Sequence, residues 1–334
     1  MNERILVTGA AGFIGMHVAM ALLDRGHRVV GVDNLNDYYP VSLKKARLGE
    51  ITRHPQAAHF KFARADIADQ DRMLELHREH DFTRIVHLAA QAGVRYSIEN
   101  PLAYARSNLV GMTVILELAR RAQVSHMVYA SSSSVYGGNS KVPYSETDRV
   151  DSPVSFYAAT KLANEAMAHS YSHLYRLPLT GLRFFTVYGP WGRPDMAPWL
   201  FTEAIAAGRP IKVFGHGKPR RDFTYIDDIV RGVVDVLDLP PPATVDGDPH
   251  RVLNIGNNEP VSVDDFIATI ECTLGRRAER IPMAMQPGDV EITFADVSRL
   301  QALTDFRPNT ALADGMAKFA AWYLNYADSD SNSD

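Results

Sequence analysis

Two groupings of residues in this chain have the types and spacing for chemistry. Tyr157 and Lys161 stand four residues apart, on one face if the segment is helical, and Ser131, Ser132, Ser133 and Ser134 end an apolar run upstream. Such a pair also occurs on ordinary helix surfaces, and serines suit strand ends. Near the N-terminus, Gly9, Gly12 and Gly15 follow the run Arg4-Ile5-Leu6-Val7-Thr8 and overlap a helical spacing of Ile14, Val18, Ala21 and Leu22. Gly9 lets the chain turn sharply, Gly12 lets backbone N–H groups approach a pyrophosphate at the helix N-terminus, and Gly15 lets helix and strand pack closely. Alone, these glycines also fit a tight turn before a packed helix. A second apolar run, Arg28-Val29-Val30-Gly31-Val32, ends in Asp33, about 20 residues after the turn, where a carboxylate accepts from the ribose hydroxyls of an adenosine. Together they predict a dinucleotide site. Asp33 would repel a 2′-phosphate, which favours NAD over NADP.

Strands and helices must hold these groups. His59 to Arg64 alternates as a strand and leads to Asp66 and Ile67; the runs through Val86 and Val128 are the next strands, separated by a helix over 104–121. Strands alternating with helices of this length predict an α/β fold, a Rossmann-type doubly wound parallel sheet with ligands at the carboxyl ends of the strands. His87, inside an apolar run, reads as a core histidine rather than a base. Lys44, Lys45 and Arg47 fit either cations over adenine or phosphate, or a solvated helix face.

Past Phe185 the alternation loosens and Pro and Gly become frequent, which predicts a smaller C-terminal substrate-binding lobe. The expected division is a dinucleotide-binding domain over 1–185 with returning segments near 224–257, a lobe over 186–327, and a disordered acidic tail over 328–334.

The 35 basic and 39 acidic residues leave a net charge of −4, which points to neither a nucleic acid nor a membrane surface as partner. A lone cysteine, Cys272, cannot form an internal disulfide, and no thiolate metal cluster is expected. No apolar run reaches the ~20 residues of a membrane span, and no leader is evident, so the expected setting is the cytoplasm.

The Gly-x-x-Gly-x-x-Gly turn, Ser-Ser-Ser-Ser-Val-Tyr-Gly at 131–137 and Tyr-x-x-x-Lys at 157–161 together resemble the extended short-chain dehydrogenase/reductase superfamily, over nearly the whole chain. The resemblance implies that Tyr157 is the base that takes a hydroxyl proton as hydride leaves for NAD, that Lys161 favours the phenolate and holds the nicotinamide ribose, and that Ser132 bonds the reacting oxygen. It implies cofactor contacts at Gly9, Gly12, Phe13, Ile14, Gly15, Asp33, Asn34, Asp66, Ile67, Leu88, Ala89, Ala90, Gln91, Asn108, Ser131, Tyr157, Lys161 and Phe185.

Further motifs, at 182–190, 213–215, 221–228 and 286–289, resemble the nucleotide-sugar branch, which implies a UDP-sugar substrate. Arg221 matches a diphosphate-binding arginine, with a structural ion pair to Asp222 or Asp227 as the alternative. The 4,6-dehydratases and uronate decarboxylases of the branch carry carboxylates where this chain has Ser133 and Ser134, which leaves 4-epimerisation. Residues 91–98 and 189–197 look closest to UDP-glucuronate 4-epimerases. That implies substrate contacts at Arg95, Ser133, Ser134, Thr186, Arg193, Val213, Arg221 and Asp289, with the Arg193 guanidinium on the sugar carboxylate. Alternatives are a UDP-glucose or UDP-N-acetylglucosamine 4-epimerase, a UDP-glucuronate decarboxylase, or a non-catalytic NAD-binding scaffold. The branch's two-helix dimer would use residues 104–121 and the helix after Tyr157, making a homodimer the expected assembly.

Overall fold

The computed structural model describes residues 3–243, 247–285 and 291–331. Six strands alternate with helices: β1 (Arg4–Thr8), β2 (Arg28–Asp33), β3 (Phe60–Arg64), β4 (Arg84–His87), β5 (His126–Ser132) and β6 (Leu179–Phe184). There follow β7 (Thr186–Tyr188), β8 (Ile211–Phe214), β9 (Arg220–Tyr225), β10 (His250–Ile255), β11 (Pro260–Ser262), β12 (Arg280–Met283) and β13 (Ile292–Thr293). The large sheet is ordered β10-β6-β5-β4-β1-β2-β3, and every pairing in it is parallel. Its central strands are buried on both faces, so Ile5, Leu6, Val7, Ile85 and Val128 form continuous apolar runs with no exposed surface.

Strand order reverses direction between β1 and β4, the place where ligands settle in such sheets. Two glycines show why that crevice has its shape. Gly9 has φ +74, and a Cβ there would meet Ala89 N at 2.8 Å, so turn and β4 exit lie against each other. A Cβ on Gly15 would come within 2.0 Å of Gly9 O, so only glycine lets the helix Phe13–Asp24 sit this close to the turn.

The smaller elements lie at the carboxyl ends of the large sheet. β9 pairs with β7 and β13 in parallel and with β11 antiparallel, while β8 and β12 form a separate parallel pair. β10 joins the large sheet beside β6. Two expectations change. The helix over 104–121 contains a π-helical stretch, Ala105–Val110, between α-helical Pro101–Tyr104 and Gly111–Arg121. The acidic segment expected as a tail from 328 instead continues the helix Leu312–Ser331, whose aromatic side chains anchor it to the lobe; residues 332–334 lie outside the described residues. Among the described residues no helix is long and apolar enough to cross a membrane.

Candidate active site

The helix Phe156–Tyr175 carries Tyr157 and Lys161 to the end of β5. Ser155 caps it, its Oγ accepting from Ala158 N at 3.1 Å. Its buried face is polar, with Thr160, Lys161, Asn164 and Glu165 all below one-tenth exposed. Tyr157, Lys161 and Glu165 therefore rise on one stripe, four residues apart.

Lys161 donates from Nζ to Ala130 O at 2.9 Å. Burial holds its ammonium down to about 8, and the Glu165 carboxylate opposes that. Burial pushes the Tyr157 phenol up; a hydrogen bond with Ser132 and the charge of Arg193 pull it back. Ser132 Oγ accepts from Ser134 N and donates to Ser134 Oγ, both at 3.2 Å.

Behind them lies a buried polar chain. Ser131 donates to Glu165 Oε1 at 2.5 Å; Arg183 grips Glu165 with Nε at 2.9 Å and Nη2 at 2.7 Å, and reaches Tyr136 OH at 3.0 Å. His87, beside Lys161, shares a hydrogen bond with Thr8 Oγ1 at 2.7 Å and is held neutral by burial and then by the lysine's charge, with a pKa of about 3, as a core histidine should be.

One cavity runs from the glycine turn to this helix. Its inner end is lined by Gly9, Gly12, Phe13, Ile14, Gly15, Asp33 and Asn34, and its middle by Ile67, Leu88, Ala89, Ala90 and Gln91. Ser131, Ser132, Ser133, Ser134, Tyr157, Lys161, Phe185, Thr186 and Arg193 line the outer end. Asp33 accepts from Ala11 N at 3.2 Å and Leu35 N at 2.8 Å. Burial raises its carboxyl, while those N–H groups and the charges of Lys44 and Arg47 lower it. A glycine turn that exposes backbone, a carboxylate at the β2 end and an apolar middle wall fit a dinucleotide along its whole length.

Several expected site residues lie outside the lining of this cavity. Asp66 is tied by Oδ2 to Arg106, at 3.1 Å from Nη2, and Ile67 forms the wall in its place. Asn108 sits behind the wall: it accepts from Gln91 N at 2.8 Å and donates to Gln91 O at 3.0 Å, so the π-helical stretch positions the loop after β4. Arg95 lies over the Phe214 ring, 5.8 Å from its centre, linking that loop to the end of β8. The Val213 side chain is buried in the same hydrophobic core as strands β1 and β4. Arg221 donates to Arg220 O at 2.9 Å, and the carboxylate of Asp222 is taken up by the N–H groups of Asn257, Asn258 and Ala295 and by the Thr224 hydroxyl. Asp289 lies outside the described residues.

Asp195 and Tyr38 come to the site without having been singled out, and the three cations named on the helix Val41–Thr52 part company. Arg193 pairs with Asp195, which also accepts from Tyr38 OH at 3.0 Å. Lys44 lines the cavity with its Nζ on Asn36, Arg47 is wholly buried, and Lys45 alone faces solvent. Glu165 was readable from its four-residue spacing beyond Lys161. The Asp195 pairing depends on a turn that no local pattern reports.

A doubly wound parallel sheet with this turn at its switch point, and a helix-borne tyrosine and lysine at the end of β5, defines the short-chain dehydrogenase/reductase class. Within that class the chain belongs to the NAD dependent epimerase/dehydratase family, whose model matches residues 5–256. It is 48% identical over 335 residues to a probable UDP-glucuronate 4-epimerase of Rhizobium meliloti, covering 96% of each chain. Among solved structures it matches the UDP-glucuronic acid 4-epimerase from Bacillus cereus in complex with UDP-glucuronic acid and NAD, with TM-score 0.88 and 34% identity over 97% of this chain and 99% of that one. The UDP-glucose 4-epimerase of Thermotoga maritima with UDP-glucose matches with TM-score 0.85 and 29% identity, over the same shares.

Proposed function

We propose that this protein is an NAD-dependent UDP-glucuronate 4-epimerase, which interconverts UDP-glucuronate and UDP-galacturonate through a transient 4-keto sugar. The observation that carries the reading is the meeting, in one cavity, of Tyr157 and Ser132 with the guanidinium of Arg193, at a site whose positions 133 and 134 are serines. The relatives named above support it.

Bound NAD would supply the hydride acceptor at C4 and, once the 4-keto sugar had turned its other face to the nicotinamide, the hydride donor. Tyr157 takes and later gives back the proton of the C4 hydroxyl, Ser132 hydrogen-bonds the reacting oxygen, and Lys161 holds the nicotinamide ribose. Asp33 accepts from the adenosine ribose. Arg221, Arg95, Asp289 and the main chain at Val213 serve the nucleotide end, with the charge of Arg221 on the diphosphate.

The sugar carboxylate creates a hazard. The 4-keto intermediate is a β-keto acid, and it loses CO₂ most readily when the carboxylate is desolvated and its bond to C5 stands perpendicular to the carbonyl plane. Arg193, with Thr186, Ser133 and Ser134, keeps the carboxylate charged and holds it away from that geometry. No carboxylic acid at 133 or 134 stands ready to assist elimination or decarboxylation.

A second reading has its own observation. In this structure Nε and Nη2 of Arg193 are on Asp195, an arrangement that suits a neutral sugar at C6 and hence UDP-glucose or UDP-N-acetylglucosamine. Parallel assays with UDP-glucuronate and UDP-glucose decide: conversion of the first alone supports the proposal, and conversion of UDP-glucose at a matching rate makes Arg193 structural.

The proposal extends to a homodimer in the cytoplasm. Apolar side chains at Leu102 and Val110, and at Leu174 and Tyr175 on the Tyr157 helix, are about half exposed or more and would be covered by a second copy.

A further inference from the structure

Arg47, on the helix Val41–Thr52, has no exposed surface, and among the described residues no carboxylate pairs with it. Its guanidinium is given over to main-chain carbonyls from two distant parts of the chain. Nη1 donates to Ala11 O at 3.1 Å, inside the glycine turn, and to Tyr39 OH at 2.7 Å. Nε and Nη2 donate to Trp191 O at 3.0 and 2.7 Å, and Nη2 also to Gly192 O at 2.9 Å. The next residue is Arg193.

Trp191 needs holding. Its φ of +64 is left-handed, a conformation that a bulky residue keeps only where its surroundings enforce it. On its far side the indole packs against Trp322 and Tyr326 of the C-terminal helix, with ring centres 5.2 and 5.9 Å away. Arg47 supplies the near side. Ala11, the other end of the link, donates its N–H to Asp33, the expected ribose ligand. A continuous chain of hydrogen bonds therefore runs from Asp33 through Ala11 and Arg47 to the carbonyls that precede Arg193.

We propose that Arg47 is a positioning residue for substrate specificity: it fixes the loop of Arg193 against the dinucleotide turn, and so sets where the sugar-acid fork stands relative to the cofactor. This rests on the reading that Arg193 meets the sugar carboxylate. An aliphatic side chain would fill the same space without burying a charge, but it would leave three carbonyls and a hydroxyl without their donor. Only a planar group with five N–H donors serves all of them at once.

The test is calorimetric titration of the NAD-loaded wild type and of Arg47→Met, Arg47→Lys, Tyr39→Phe and Arg193→Ala with UDP-glucuronate and with UDP. In Arg47→Met the affinity for UDP-glucuronate falls about tenfold while that for UDP changes less than about twofold, as the loss of charge-assisted hydrogen bonds predicts. Arg47→Lys recovers part of the loss, and Tyr39→Phe, which removes one of the four groups the guanidinium serves, shifts the ratio the same way by a smaller factor. Equal weakening toward both ligands, or an unchanged ratio, overturns the proposal; should Arg47→Met fail to fold, an unchanged ratio in Tyr39→Phe and Arg47→Lys overturns it instead. If Arg193→Ala keeps the wild-type ratio, the reading of Arg193 fails and this proposal with it. If Arg193→Ala loses the ratio while Arg47→Met keeps it, only the role of Arg47 is overturned.

Discussion

Arg193 and Asp195 form a two-point ion pair, Nε to Oδ1 at 3.0 Å and Nη2 to Oδ2 at 2.5 Å, at the rim of the cavity that holds Tyr157. Burial works against the guanidinium's charge, but the Asp195 carboxylate and its hydrogen bonds outweigh that and raise its pKa. The fork is thus charged and already holds a planar carboxylate through Nε and Nη2; on the proposed reading a sugar acid would meet it at Nη1 or displace Asp195. Replacing Arg193 by Ala should lower kcat/KM for UDP-glucuronate by about 100-fold, the scale of a lost charge-assisted pair. It should also raise the share of product that has lost CO₂ and appears as a UDP-pentose. A normal rate with no extra CO₂ would remove Arg193 from the account.

Tyr157→Phe removes the proposed base while keeping its ring, which contacts Tyr104 at 6.0 Å between centres. Epimerisation should fall by roughly 10²–10⁴-fold, the range for loss of a positioned acid–base group, with UDP-glucuronate affinity little changed. Stopped-time assays beside equilibrium titration separate the two quantities.

The ammonium of Lys161 sets an alkaline limit. Burial brings it down to about 8, so it is charged below that pH and neutral above it. Activity that depends on the charge should decline as pH rises through about 8. Lys161→Arg, which stays charged throughout, should lower the rate but remove that decline from the pH–rate profile.

Much of this was legible in order along the chain. The strand and helix alternation, the glycine turn and Asp33 are local patterns, and they place the inner end of the cavity correctly. The residues around Arg193 were not legible in the same way. Arg47 lies on a helix face that looks solvated in one dimension, and it is enclosed only because residues 189–195 fold back over it. Asn108, expected at the cofactor, is hydrogen-bonded to the backbone of Gln91, and the π-helical turn that carries it cannot be told from an α-helical one by apolar spacing. Asp328 and Asp330 read as part of a tail because the composition there is polar, whereas the helix that carries them is anchored by Trp322, Tyr323 and Tyr326 earlier in its course.

The Glu165–Arg183 pair is enclosed on both sides, with side chains 8% and 4% exposed. Removing one partner strands a buried charge, so Glu165→Leu or Arg183→Met alone should destabilise by about 3–5 kcal/mol, and the double variant by less than the sum. Urea unfolding of the three variants measures it. Additive losses would mean the two side chains act independently.

Four histidines are held neutral by burial: His17, His126 and His250 at about 4, and His87 at about 3, against an ordinary 6.5. Their native pKa values lie below the unfolded value, so the unfolded chain binds more protons wherever the pH is between them. Stability is whole above 6.5 and is lost as pH falls toward about 4, at up to about 1.4 kcal/mol per pH unit for each histidine. Thermal unfolding followed from pH 7.5 downward, at about half-unit steps, should show Tm falling over that window. A flat Tm down to about pH 5 would mean the imidazoles are charged in the native state.

The central claim is that hydride leaves C4 and comes back to the same carbon. The direct measurement uses enzyme loaded with NAD and freed of excess, given UDP-glucuronate deuterated at C4, with the products separated by anion exchange and weighed by mass spectrometry. The expected product is UDP-galacturonate that keeps its deuterium at C4. A UDP-pentose as the main product, or UDP-galacturonate that has exchanged its deuterium for solvent hydrogen, would contradict it.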